Sequence, residues 1–358
     1  MTTAARAVVD TAALRHNLAV VRRSAPGARV MAVVKANAYG HGLAAVARAL
    51  AGADAFAVAR VEEAMTIRQA GLDNRVILLE GVLRSDQLPL AAEFRLEPVI
   101  HSPEQLAMLE GVDLPAAVSA WMKIDTGMHR LGFPPAEAAE VARRLANSGR
   151  LSGPPACMTH LACADEPERG FTRRQVRTFL ESVAGLEGER SVANSAAVLA
   201  FPETHHDWVR PGIMLYGVSP FPEQSGESLG LKPAMTLTCP LIAVKDVPAG
   251  GRVGYGGTWE AKRDSRIGIA AIGYGDGYPR RLDSGTPVQV AGQPARTAGR
   301  VSMDMIAIDL AGVTDPRAGD EVMLWGPGLP VETLAARAGT IGYELLCGVT
   351  QRVDVSYV

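Results

Sequence analysis

A (β/α)8 barrel followed by a mainly antiparallel β domain is the α/β fold the sequence predicts, and three observations predict it. Short apolar runs alternate with helical patterns through the first two thirds of the chain, at spacings of roughly 25 residues. Past residue 233 the apolar runs follow turn signals directly. The chain is also longer, at 358 residues, than one ordinary core requires.

The predicted strands of the first part lie at 30–34, 55–58, 76–79, 96–100, 118–124, 156–161, 191–193 and 213–216. Helical patterns occupy 43–50, 62–69, 103–109, 136–146 and 171–184. Ser102 before Pro103 reads as an N-cap followed by the first helical position. Eight parallel strands with crossovers fit a closed barrel. In the second part, runs at 237–244, 267–272, 288–290, 305–310 and 321–324 are separated by segments such as Val-Pro-Ala-Gly-Gly at 247–251. One helical pattern, 331–338, stands out there. The division expected is a barrel over 1–232 and a β-rich domain over 233–358, with the boundary near Lys232-Pro233.

Composition narrows the function classes. Hydrophobic residues make up 47% and charged residues 21%, a globular profile, and 36 basic against 38 acidic side chains leave a net charge of −2. That balance lacks the basic excess of a nucleic-acid binder. The N-terminal residues lack a basic-then-apolar secretory pattern, and no apolar run approaches the roughly 20 residues needed to span a bilayer. The four cysteines show no C-x-x-C spacing, so a reducing cytoplasm is the expected compartment. His205 and His206 lack ligand spacing, and no metal site is expected.

Lys35 is the first residue with chemistry. It follows an apolar run and opens Lys-Ala-Asn-Ala-Tyr-Gly-His-Gly at 35–42. In a barrel the C-terminal strand ends carry the active site, and a lysine there can attack a carbonyl to form a Schiff base. By position alone a lysine snorkelling from a strand end is the commoner case; the crowding of Tyr39, Gly40, His41 and Gly42 into one loop shifts the balance toward a site.

The segment resembles the cofactor-lysine motif of alanine racemases, which use pyridoxal 5′-phosphate (PLP). Further segments resemble that family in order: Lys-Ile-Asp-Thr-Gly-Met-His-Arg-Leu-Gly-Phe at 123–133, Thr-His-Leu-Ala-Cys-Ala-Asp at 159–165, Ala-Asn-Ser-Ala-Ala at 193–197, Val-Arg-Pro-Gly-Ile-Met-Leu-Tyr-Gly at 209–217, Val-Gly-Tyr-Gly-Gly at 253–257, Ile-Gly-Tyr-Gly-Asp-Gly at 272–277 and Gly-Arg-Val-Ser-Met-Asp at 299–304. They span both predicted domains.

The resemblance implies a two-base racemisation of L- and D-alanine by a homodimer with composite sites. Lys35 would carry PLP and act as one base. Tyr255 of the partner subunit would be the other, linked through His160 and Arg210. Arg210 would also meet the pyridine nitrogen. Tyr39, Asn194, Ser195, Gly212, Ile213 and Tyr343 would bind the cofactor and its phosphate. Ser195, opening 196–200, also reads as an N-cap. Arg130 and the amide of Met303 of the partner subunit would hold the substrate carboxylate, Tyr274 would narrow the entrance, and Lys123 matches a lysine carbamylated in several relatives, where it orients the arginine. One position departs from the pattern, since many relatives carry histidine where this chain has Ser191. The alternatives are a broader racemase acting on residues such as serine, a barrel-type PLP decarboxylase, and a non-enzymatic PLP carrier.

Overall fold

The computed structural model describes residues 5–358, so the first four residues of the N-terminal reading lie outside the described residues. The chain forms two compact units, each discontinuous in sequence: Met1–Leu14 with Tyr39–His41 and Tyr216–Val358, and Arg15–Ala38 with Gly42–Leu215. The first strand, β1 (Arg6–Val9), belongs to the former.

The second unit is a closed parallel barrel of β2 (Arg29–Val33), β3 (Ala55–Val58), β4 (Arg75–Leu78), β5 (Leu96–Ile100), β6 (Trp121–Lys123), β7 (Ala156–Met158), β8 (Arg190–Asn194) and β9 (Trp208–Arg210). Pairing of Arg29 with Trp208 and Val30 with Val209 closes the ring. Every residue of β3 and β5 is buried, because strands covered on one face by helices and on the other by the barrel interior are shielded on both; all but Glu97 are apolar. Crossover helices include Leu43–Ala49, Val61–Gln69, Pro103–Gly111 and Phe171–Ser182. Ser102 caps as expected, accepting the Gln105 N–H at 3.3 Å.

Two expectations need correction in this unit. The apolar run at 213–216 is no strand but a buried 3-10 turn, Ile213–Tyr216, and the eighth strand is β9 just before it. The helix Gln87–Glu93 is present although the sequence reading passes over it.

At the N-terminal ends of the barrel strands a polar plug fills the floor. Glu97, 6% exposed, accepts two hydrogen bonds from Arg75, at 2.6 and 2.9 Å, and one from the Trp121 indole at 2.9 Å. The Arg29 and Arg75 guanidiniums lie 4.3 and 4.8 Å from the Trp208 ring centre, and Glu189 pairs with both arginines and with the Trp208 N–H. Buried charge is thus matched on every side.

The other unit adds β10 (Met235–Val247), β11 (Arg252–Val253), β12 (Trp259–Glu260), β13 (Ser265–Ala270), β14 (Pro287–Val290), β15 (Gln293–Thr297), β16 (Ile306–Asp309), β17 (Glu321–Trp325) and β18 (Asp354–Tyr357). Strands β13, β16, β15, β14, β17 and β10 pair in sequence, and β10 pairs again with β13, closing six strands into a ring. β10 can serve so many neighbours because it changes partner midway. Its first half pairs with β1 and β17 and its second with β13, and Pro240, which lacks an N–H, sits at the exchange. β1 runs antiparallel to β10 and parallel to β18, one parallel pairing in a mainly antiparallel unit. Beside the expected helix, Val331–Ala338, there is a second, Gly342–Cys347. No described helix is long and apolar enough to cross a membrane.

Candidate active site

The barrel gathers basic side chains at the C-terminal ends of its strands. Lys35 follows β2, Lys123 ends β6, His160 follows β7 and Arg210 ends β9. Lys123 is 8% exposed, and burial, with Arg210, Arg130 and Lys35 adding positive charge, pulls its ammonium down to about 8 despite the opposing Asp125. Burial draws Arg210 down to about 10, leaving it charged at neutral pH. Half-buried His160 is held well below the usual imidazole range by burial, then by Arg210 and Lys123, so it is a neutral ring.

Arg210 is fixed by four acceptors. Its Nη1 donates to Ser191 Oγ at 2.6 Å; its Nη2 donates to the carbonyl of Thr159 at 2.5 Å and to that of Val192 at 3.3 Å, and meets His160 Nδ1 at 3.4 Å. Nε–H has no acceptor among the described residues. Ser191, the departure from the family pattern, therefore keeps a hydrogen-bond role: its hydroxyl accepts from Arg210 and donates to the Trp208 carbonyl at 2.9 Å.

Ser195 is not the N-cap. Asn194 is, its Oδ1 accepting the Ala197 N–H at 3.1 Å at the head of the helix Ser195–Ala200. Ser195 Oγ instead accepts the amides of Gly212 at 2.9 Å and Met214 at 3.5 Å. This brings the helix start, a hydroxyl and the loop carrying Gly212 and Ile213 together. Arg130 is exposed on the loop after β6. That loop doubles back tightly, with Phe133 and Lys123 sharing a backbone hydrogen bond of 2.9 Å. At Gly132 (φ 132°) a Cβ would stand 2.6 Å from the Asp125 nitrogen, so only glycine fits.

The backbone after Lys35 is strained. Ala36, Asn37, Ala38 and Tyr39 all have φ near +53°, forming one left-handed turn. Such a conformation costs roughly 1–2 kcal/mol per residue for side chains other than glycine, and persists only where surroundings over-determine it. Glu63 supplies part of that constraint: Oε1 accepts the Ala36 N–H at 2.7 Å, while Oε2 accepts those of Ala59 at 2.8 Å and Arg60 at 3.2 Å. Asn37 supplies more, its carbonyl accepting from Gly42 at 3.0 Å and its Oδ1 from Leu43 at 2.9 Å.

The other unit presents the remaining candidates in two groups. Tyr39 stacks on Tyr216, with centroids 4.7 Å apart, and lies 5.9 Å from the Tyr343 ring; burial, then Tyr343 and Cys347, raise its pKa and keep its phenol protonated. Gly40 (φ 80°) lets the chain pass here, since a Cβ would lie 2.1 Å from the Leu346 carbonyl oxygen. Tyr255 occupies the turn between β11 and β12 and is 69% exposed. Tyr274 and Met303, 52% exposed, lie on two loops joined by backbone bonds from Tyr274 to Ser302 at 3.0 Å and from Gly275 to Met303 at 2.9 Å. Arg352 clips these loops from outside, its Nε 3.2 Å from Asp276 and its Nη2 2.7 Å from Asp304. Neither Glu63 nor Arg352 stands out in the sequence; Glu63 carries one local signal, an acidic residue in a helix's first turn.

The chain matches two family models, "Alanine racemase, N-terminal domain" over residues 9–220 and "Alanine racemase, C-terminal domain" over residues 234–357. It belongs to the alanine racemase family, a PLP-dependent class of isomerases. Alanine racemase of Aeromonas hydrophila is 53% identical over 356 residues, covering 99% of both chains, and that of Vibrio cholerae is 50% identical over 354 residues, covering 99% of this chain and 98% of the other. Among solved structures, the biosynthetic alanine racemase of Pseudomonas aeruginosa superposes with a TM-score of 0.96 at 47% identity over the whole of both chains. That of Acinetobacter baumannii gives 0.91 at 39% identity, again over both whole chains.

Proposed function

We propose that this chain is a PLP-dependent alanine racemase that interconverts L- and D-alanine with two bases, Lys35 and Tyr255 of the partner subunit. The observation that carries the reading is Lys35 at the C-terminal end of β2, in a chain similar to alanine racemases from end to end. The donor set fits the cofactor. Arg210 keeps its Nε–H unbonded on a guanidinium whose Nη1 and Nη2 are held by Ser191, Thr159 and Val192, a partner suited to a pyridine nitrogen. The Ser195 hydroxyl with the Gly212 and Ile213 amides, joined by Tyr39 and Tyr343, would hold the phosphate. When bound, PLP supplies an electron sink for the negative charge left at the α-carbon after proton loss.

The chain's own residues divide the remaining work. Lys35 takes or returns a proton on one face, and Tyr255 of the partner subunit does so on the other. Neutral His160, hydrogen-bonded to Arg210, relays charge to that phenol. Arg210 would offer the ring nitrogen a hydrogen bond but could not accept a proton from it; the unprotonated ring would be a weaker electron sink, which would disfavour protonation away from the α-carbon. Arg130 grips the substrate carboxylate as a bidentate donor, assisted by the amide of Met303 of the partner subunit, and Tyr274 limits the side chain to something near a methyl group.

The reading includes a homodimer, a division of the chain into a barrel over 1–232 and a β domain over 233–358, and a cytoplasmic location that supplies D-alanine. Exposure of Tyr255 and Met303 on one unit supports the shared site, and the four free cysteines accord with a reducing compartment.

The test is a chiral assay of purified holoenzyme with each alanine enantiomer, alongside borohydride trapping and peptide mapping. Interconversion with the cofactor fixed at Lys35 is expected. Tyr255→Phe should lower kcat by about 10²–10⁴-fold while leaving the cofactor's visible absorbance unchanged. Bound cofactor without interconversion would defeat the proposal.

A further inference from the structure

We propose that Glu63 is a positioning residue that sets where the Lys35 amine stands; this deepens the reading above and rests on the cofactor role given there to Lys35. The argument begins with the Lys35–Ala36 peptide. A peptide unit is planar, so fixing the Ala36 N–H fixes the plane leaving the Lys35 α-carbon, and with it the direction of the lysine stem. Glu63 Oε1 makes that bond, at 2.7 Å.

A carboxylate serving only to cap its own helix, Val61–Gln69, would need nothing beyond the Ala59 and Arg60 amides that Oε2 already takes. Its second oxygen reaches out of its own β/α unit to residue 36 in the unit before. One side chain thus ties together the loops that follow β2 and β3. The tie falls where it matters, because four successive left-handed residues begin at Ala36 and would relax toward ordinary backbone if released. The far end of the turn has its own anchor in Asn37, through Gly42 and Leu43. The near end is held by Glu63 and by the Ala38-to-Val34 backbone bond. Two negative oxygens accepting three amide protons form an arrangement that a neutral amide cannot copy, since its NH2 would face an N–H.

The experiment compares Glu63→Gln and Glu63→Ala with wild type as PLP-loaded enzyme. It measures kcat and KM for L-alanine, the fraction of cofactor that borohydride fixes at Lys35 when PLP is limiting, and the melting temperature. Expected is a fall in kcat per bound cofactor of about 10–100-fold for alanine and a smaller fall for glutamine, with KM within about threefold. The fraction fixed at Lys35 should fall in the same order. Glu63→Gln carries the test if the alanine variant does not fold. A lower melting temperature with kcat and trapping at wild-type values would show a helix cap and nothing more, overturning the proposal. Wild-type trapping at another residue would instead bring down the Lys35 reading itself, and the proposal with it.

Discussion

Lys123 should react with carbon dioxide. Its ammonium titrates near 8 rather than at the ordinary lysine value of 10.5, so at about pH 7.5 roughly a quarter of it is neutral amine, on the order of two hundred times the fraction of an unperturbed lysine. The neutral amine is the form that adds CO2, losing a proton as the carbamate forms. Arg210, Arg130 and Lys35, the cations that disfavour the ammonium, favour the anionic carbamate. Protein equilibrated with 13C-bicarbonate should show a carbamate resonance that Lys123→Met lacks, and CO2-depleted buffer should lower turnover severalfold, because Arg130, one of the cations that act on Lys123, would lose an anionic partner. The same shift has a stability signature in CO2-free buffer. The folded-state value lies below the unfolded one, so between pH 8 and 10.5 the unfolded chain binds more protons and stability rises with pH. The burial cost is full below pH 8, where Lys123→Met should gain up to about 3 kcal/mol, and it fades toward pH 10.5. A wild-type spectrum without the resonance at saturating label would refute the reasoning.

Two further outcomes follow from the ion pairs. Arg352→Ala should raise KM for alanine by roughly three- to tenfold with little change in melting temperature, because the clip on the Tyr274 and Met303 loops is half exposed; steady-state kinetics beside a thermal melt check this. Glu97→Gln turns an amide NH2 toward Arg75 or the Trp121 N–H in the barrel floor, and urea unfolding should show a loss of about 2–3 kcal/mol. Its kcat should stay at the wild-type value, since the floor lies at the strand ends opposite Lys35.

The barrel was legible because its strands are buried on both faces and leave unbroken apolar runs. The same cue misled at 213–216, where an apolar run is buried as a turn. The real eighth strand has three residues and ends in a charged one, Arg210. β18 left no signal because most of it is exposed, and β1 none because it has no hairpin neighbour; their partners are set by tertiary closure. The choice between Asn194 and Ser195 as cap turned on one residue of offset, which sequence patterns do not resolve. Motif residues such as Lys35 and Arg210 were readable because chemistry constrains their neighbours. Glu63 and Arg352 were not, since what distinguishes them is a bond to a distant segment.

The seat of β1 between β10 and β18 has a consequence for synthesis. Backbone bonds join Asp354 to Ala5, Val358 to Val9 and Thr11 to Val358, so residues 347 positions apart in the order of synthesis, such as Thr11 and Val358, wait for one another before they pair. At cellular elongation rates that wait is on the order of tens of seconds. Barrel strands can meet their neighbours as they emerge, whereas β1 must wait for β18 before the pair beside the six-stranded ring is complete. Altering β18 should therefore disturb β1 first.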